Sequence, residues 1–132
     1  MYEPIRTPSV HTPVDTAQFP HRSREEELDI QLAGHLAALL SVTDELGLVA
    51  AGDRIAEQVS RLRGAPPARH AGLIDAPAAA LHRRAHSLAG RALVVAASRA
   101  DTTVAILAAE RMDAHAEALS AAVGTQRLAP TA

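Results

Sequence analysis

Three histidines have a spacing that could bring their imidazole rings to one metal ion. His82 and His86 are four residues apart, so on a helix they project from the same side. If the chain doubles back near residue 100, His115 lies level with His86 and could supply a third ligand. Two adjacent arginines oppose a cation there, and the Glu of the His-Glu-x-x-His zinc motif is missing. We interpret the histidines as hydrogen-bonded side chains at helix seams, with the metal site as the alternative.

Other catalytic and cofactor chemistry finds no support in the sequence. The chain has no cysteine and no lysine, which excludes cysteine nucleophiles, thiolate zinc sites, phosphate-binding P-loops and Schiff bases. No serine stands in a Gly-x-Ser-x-Gly turn, and no Glu-x-x-His pair of the di-iron bundles occurs. We therefore predict a protein without catalytic residues and without a cofactor.

Charge and aromatic content argue against a nucleic-acid or membrane surface. The 132 residues carry a net charge of -2, and Tyr2 and Phe19 are the only aromatic residues, too few for stacking platforms. The arginines of the third helical segment could still contact phosphates, so a weak DNA-binding regulator is the second alternative. All 13 basic residues are arginine, which is typical of a GC-rich bacterial genome.

The first 22 residues differ in composition from the rest of the chain. They contain four prolines and no helical or alternating apolar period, so we expect a flexible, Pro-rich N-terminal arm at 1–22. The segment has neither the cationic start nor the apolar run of a secretion signal, and no stretch is long enough to span a bilayer. We expect a cytoplasmic protein with no membrane contact.

Two helices are predicted in the first half of the chain. Ser23 and Glu26 form the Ser-x-x-Glu pattern of a capping box. Leucines then recur at spacings of three and four, which predicts a helix over about 23–46. A second apolar set predicts a helix over 49–63, and two prolines and two glycines after it predict a connector.

The second half predicts a third helix over 76–99, capped by Asp75, and a fourth over 102–123, followed by a frayed tail at 125–132. One continuous helix here would be about 70 Å long at 1.5 Å per residue, which is out of scale for a small domain. We therefore favour the break near residue 100.

These segments predict an all-α fold. Two helical hairpins joined by the connector make an antiparallel four-helix bundle, at 23–124, the simplest way to bury four apolar stripes. With 48% hydrophobic residues, the composition fits a globular protein, but alanine at many core positions predicts a thin core. Burial of more surface in a homo-oligomer would then add stability.

Charged residues outside the stripes suggest an interaction surface. In the predicted hairpin of helices three and four, Arg84 faces Glu117 and Arg91 faces Glu110, each pair one heptad from the other. Arg83, next to Arg84, adds to the positive charge of the third helix. Glu25 and Glu26 at the start of the first helix form a cluster of negative charge. We therefore predict a non-catalytic regulatory or scaffolding module that binds protein chains, including a second copy of itself.

Overall fold

The computed structural model describes residues 22–70 and 76–128, and it contains four α-helices there. They are α1 (Arg24–Glu45), α2 (Val49–Arg63), α3 (Ala78–Arg99) and α4 (Thr102–Leu128). No residue of these two ranges lies in a β-strand, so the all-α prediction is confirmed. Of the helices in the same ranges, none is long and apolar enough to cross a membrane. The predicted arm, apart from Arg22, and the predicted cap Asp75 lie outside the described residues.

Helix α1 begins with the predicted capping box. The amide N–H of Glu26 donates to Ser23 Oγ at 3.1 Å, and the amide N–H of Ser23 donates to Glu26 Oε1 at 3.0 Å. The apolar stripe that follows is buried, and it includes Leu32, Leu36, Leu39 and Leu40. The cap therefore determines where the first helix begins, and the spacing of the leucines determines which of its faces is buried.

Each helix runs antiparallel to the helices beside it. The end of α3 lies at the start of α1, where Arg99 Nε donates to Asp29 Oδ1 at 3.1 Å. The end of α2 lies at the start of α4, where Arg61 Nη2 donates to Asp101 Oδ2 at 2.7 Å. Helix α1 packs on α2 and α3, α3 packs on α4, and α2 touches α4 at few points. The helices therefore surround the core in the order α1, α2, α4, α3, which confirms the antiparallel four-helix bundle of two hairpins.

The described part of the connector after α2, residues 64–70, runs back along the bundle. Helix α2 ends at Gly64, whose positive φ of 76° fits the left-handed conformation of a helix cap. Five residues later, Arg69 Nη1 donates to Asp53 Oδ1 at 3.0 Å, near the start of α2. The chain therefore runs back along α2 before α3 begins. As a result α2 and α3 are parallel and lie diagonally across the core.

The core is apolar and rich in small side chains. Helices α1 and α2 contribute branched residues such as Ile55 and Val59, which are fully buried. Helix α3 contributes mostly alanines to the same cluster: Ala85, Ala89, Ala92 and Ala96. Small side chains allow helix axes to approach closely, so α3 sits near both of its neighbours.

Most predicted boundaries agree with the structure, but the predicted end of the fourth helix is wrong. Helix α3 ends at Arg99 with Ala100 as its C-terminal cap, so α3 and α4 are separate helices. Helix α4 does not stop at 123, and residues 125–128 of the predicted tail are helical. A single helical glycine costs only about 1 kcal/mol relative to alanine, so Gly124 is too weak a signal to end a helix.

Replacing Ala100 by glycine is expected to stabilise the bundle slightly. Ala100 has φ 60° and is the only described non-glycine residue with positive φ. That conformation costs an alanine about 1–2 kcal/mol, while glycine loses about 0.5–1 kcal/mol more chain entropy on folding. We expect Ala100→Gly to raise the free energy of unfolding by about 0.5 kcal/mol in urea titrations followed by circular dichroism.

The matched control for Ala100→Gly is Ala97→Gly, one turn earlier in α3. Ala97 has ordinary helical backbone and an exposed side chain, so this change should lower stability by about 1 kcal/mol. Equal losses at both positions would contradict the left-handed cap at Ala100.

Candidate functional site

The buried polar side chains lie at one end of the bundle, the end that holds the α1–α2 turn. Asp44 is in the last turn of α1, and Thr43 beside it donates its hydroxyl to the Leu39 carbonyl at 2.7 Å. His115 is fully buried at the middle of α4, where it lies beside His82 near the start of α3, and α3 begins at this same end. We call this region the polar end.

Two histidines meet at the polar end. Nδ1 of His82 on α3 lies 2.9 Å from Nδ1 of His115 on α4, and the ring centroids are 5.1 Å apart. His115 is fully buried and His82 is partly exposed. The pair therefore links a ring in the interior to a ring at the surface by one hydrogen bond.

An arginine beside the buried ring favours one assignment of the ring protons. Arg111 Nη2 lies 3.5 Å from His115 Nε2, one turn away on α4. Because a guanidinium can only donate, Nε2 of His115 must accept there. The proton of His115 then sits on Nδ1 and is donated to Nδ1 of His82, whose own proton sits on Nε2. This network assigns neutral tautomers to both rings.

The surroundings of His115 disfavour a positive charge on its ring. The pKa of His115 is lowered from 6.5 to about 4, first by burial and then by electrostatic interaction with Arg111, His82 and His86. Burial also lowers the pKa of Arg111, assisted by the charge of Arg54. Within the described residues, Arg111 Nε is the one buried side-chain nitrogen or oxygen without a hydrogen-bond partner.

The three-histidine metal site, which the sequence left as the alternative, is not formed by the described residues. His115 hydrogen-bonds His82, one helical turn before His86, and this bond occupies Nδ1 of both rings. In residues 22–70 and 76–128, no group of three or more His, Cys, Asp or Glu side chains could hold a metal ion. The guanidinium of Arg111 beside His115 adds electrostatic repulsion against a cation.

A second polar cluster attaches the connector to the first hairpin. Asp44 accepts from Arg69 Nε at 3.0 Å, from Arg69 Nη2 at 2.9 Å and from the amide N–H of His70 at 3.0 Å. The Asp44 side chain is only 5% exposed, whereas Asp53, which pairs with the same guanidinium, is 65% exposed. We call Asp44, Arg69 and Asp53 the connector clamp.

Glycine at position 52 makes room for the connector clamp. A Cβ atom there would lie 2.6 Å from Arg69 Nη2 and 2.9 Å from Asp44 Oδ1. Any larger residue would push the guanidinium away from the carboxylate. The hydrogen bonds from Arg69 lower the pKa of Asp44, with a further contribution from the His70 amide. The buried carboxyl group is therefore held in its charged form.

The predicted ion pairs between α3 and α4 are wrong. Glu110 pairs with Arg54 of α2 at 2.7 Å and not with Arg91, and no ion pair joins Arg84 to Glu117. The space over Gly90 faces Met112, so Met112 lies on the side of α4 that packs on α3. Glu110 is two residues away, about 200° around the helix, and Glu117 follows it by one heptad.

The other predicted surface residues are exposed. Arg83, Arg84 and Arg91 lie on the outside of α3. At the opposite end of the bundle, Glu25 lies 3.5 Å from Arg99 Nη1. Glu26 is used by the capping box, which also lowers the pKa of its carboxyl group through hydrogen bonds from Ser23. The two acids therefore stabilise the start of α1 and its contact with α3.

The side of the bundle between α2 and α4 is open. A groove of about 290 Å³ lies there, lined by Arg54, Glu57, Gln58, Thr103, Ile106 and Leu107. Leu107 is buried at its base, while Ile106 is 56% exposed at its edge. Ion pairs join α2 to α4 at the two ends of the groove, from Arg54 to Glu110 and from Arg61 to Asp101.

The fold and these features define an all-α four-helix bundle with a polar end and a groove between α2 and α4. No known protein family matches the sequence, and no curated protein or solved structure matches it either. The activity must therefore be inferred from the chemistry of the protein's own surfaces.

Proposed function

We propose that the protein is a non-catalytic, cytoplasmic helical bundle that acts by binding protein chains, a second copy of itself included. The observation that carries this proposal is the open α2–α4 side. Helices α2 and α4 touch at few points, and an isoleucine remains exposed over the groove between them. Exposed apolar surface bordered by charged side chains is typical of protein interfaces.

The charges around the groove favour a second copy as its occupant. Arg54 and Arg61 lie on α2, and their partners Glu110 and Asp101 lie at the same levels on α4. A two-fold axis parallel to the groove would place α2 of one copy against α4 of the other at equal heights. Each arginine would then meet the acid of the second copy, so the surface is complementary to itself.

A dimer would also add apolar burial that the single chain lacks. In this dimer, Ile106 of one copy would lie near Ile106 and Leu107 of the second copy. Helices α2 and α4 of both copies would pack together as four helices. Because α3 supplies mainly alanine to the core, the bundle gains little from large side chains on that helix. Association would therefore stabilise the folded chain by mass action.

We expect the wild-type protein to be a dimer in light scattering after size-exclusion chromatography, at twice the monomer mass of 13.8 kDa. Ile106→Glu should raise the dissociation constant at least about tenfold, because it would bury an unpaired charge in the interface. The mass should then move towards that of the monomer upon dilution.

Val94→Glu is the matched control, since Val94 is 67% exposed on the outside of α3. This variant introduces the same charge away from the groove and should remain a dimer. A wild-type protein that is monomeric at all concentrations, or a dimer that dissociates equally in both variants, would overturn self-association through the groove.

A further inference from the structure

The outside of α3 carries a continuous face of arginine and small residues. Positions 84, 87, 91, 94 and 98 recur at the spacing of one helix face, and all five residues are exposed. They are Arg84, Ser87, Arg91, Val94 and Ser98, with Arg83 next to the first of them. We call these six residues the α3 outer face.

The positive charge of this face is not balanced on the bundle. Helix α3 contains four arginines, two histidines and no acidic residue. Of the arginines, Arg99 pairs with Asp29 and Glu25 of α1. Arg83, Arg84 and Arg91 make no ion pair with any residue of the two described ranges.

The same face has an apolar position. Val94 is 67% exposed and follows Arg91 by three residues. Ser87 follows Arg84 at the same spacing. Serines on either side of Val94 leave the surface low between the arginine side chains. A helix could therefore lie on this face with its backbone close to α3 and with carboxylates reaching the guanidinium groups on both sides.

We infer that the α3 outer face binds an acidic amphipathic helix of a protein partner. Such a helix would have carboxylates seven residues apart, to match Arg84 and Arg91, and an apolar side chain over Val94. The inference rests on the proposed function, since it adds a partner class to the same interaction module, but it uses a different side of the bundle.

A protein segment fits the α3 outer face better than a nucleic acid does. Burying the exposed valine of this basic face against apolar side chains of a protein would stabilise the complex. A phosphate backbone offers no such apolar contact. Three arginines also give few phosphate contacts, and the net charge of the chain is -2. The acidic first turn of α1 adds local repulsion of a polyanion at one end of the bundle.

The test uses a synthetic helical peptide with glutamates seven residues apart and a leucine on the same face, labelled for fluorescence anisotropy. The full-length protein should bind this peptide, and binding should weaken as salt is added. Arg91→Glu should weaken it about tenfold or more, because attraction becomes repulsion at the centre of the face. Val94→Ser should weaken it about threefold, since an apolar contact is lost.

Arg24→Glu is the matched control, because Arg24 is an exposed arginine at the start of α1 and its reversal changes the net charge equally. Affinity for the peptide should change less than about twofold in this variant. Equal losses in Arg24→Glu and Arg91→Glu would show binding through net charge alone and would overturn the inference. So would tighter binding of a random DNA duplex than of the peptide, with the same sensitivity to Arg91→Glu.

The failure of one proposal can be distinguished from the failure of the other. Ile106→Glu should dissociate the dimer and leave peptide affinity unchanged, whereas Arg91→Glu should leave the dimer intact. Loss of peptide binding in Ile106→Glu would place the peptide in the α2–α4 groove and overturn its assignment to α3.

Discussion

Asp44→Ala is expected to lower the free energy of unfolding by about 3 kcal/mol, a large effect for the loss of one carboxylate. The Asp44 side chain is buried and accepts three hydrogen bonds from the connector, two of them from a guanidinium. Charge-assisted hydrogen bonds contribute about 1.5–3 kcal/mol, and they are not independent when one carboxylate accepts them all. Urea titration of the variant against wild type measures the loss.

Asp53→Ala is the control for the connector clamp, because Asp53 pairs with the same arginine from an exposed position. Exposed ion pairs contribute about 0–1 kcal/mol, so this change should be nearly neutral. In the double variant Asp44→Ala/Arg69→Ala, the second substitution should add little to the first. Additive losses would mean that Asp44 and Arg69 stabilise the protein separately and that the connector is not held by their contact.

The second large effect is a loss of stability on acidification that depends on His115. Its pKa is lowered from 6.5 to about 4 in the folded protein, so the unfolded chain binds the proton more readily between these values. The contribution is therefore fully present above pH 6.5 and is lost as the pH falls towards 4. At 1.36 kcal/mol per pKa unit, the decrease in unfolding free energy is about 3 kcal/mol.

Protonation of His115 also conflicts with its contact to Arg111. A second proton on this ring would sit on Nε2 and face the guanidinium, which can only donate. Urea titrations at pH 7 and at pH 4 should show the decrease in wild type and in His86→Gln. In His115→Gln the decrease should be smaller by about 3 kcal/mol, and an unchanged decrease would assign the pH dependence to other groups.

The helices and their core faces followed from the sequence because local signals determine them. The capping box at Ser23 fixes where α1 starts, and the period of its leucines fixes which face is buried. The break near residue 100 followed from the length of helix that a small domain can accommodate. The cap and the leucine period involve only neighbouring residues, whereas the break rests on the overall size of the domain.

The contacts between helices could not be obtained in the same way. Predicting that Arg91 faces Glu110 required the rotation of α4 about its own axis, which is set by Met112 over Gly90 and by the histidine pair. The rotation of α4 decides which neighbouring helix a charged residue reaches, and Glu110 pairs with α2. The burial of Asp44 and of the Arg111 guanidinium nitrogen Nε was not predicted. A charged residue in a helix is expected to be buried only when the groups that surround it are known.

The path of the connector has a consequence for the field around the bundle. Because it returns the chain to the opposite end before α3 begins, every helix lies between two neighbours of opposite direction. The partial positive charge at each amino terminus then adjoins partial negative charges at two carboxyl termini, and the four backbone macrodipoles largely cancel. Side chains alone are left to set the potential that an approaching molecule meets, which is acidic where α1 begins and basic along α3.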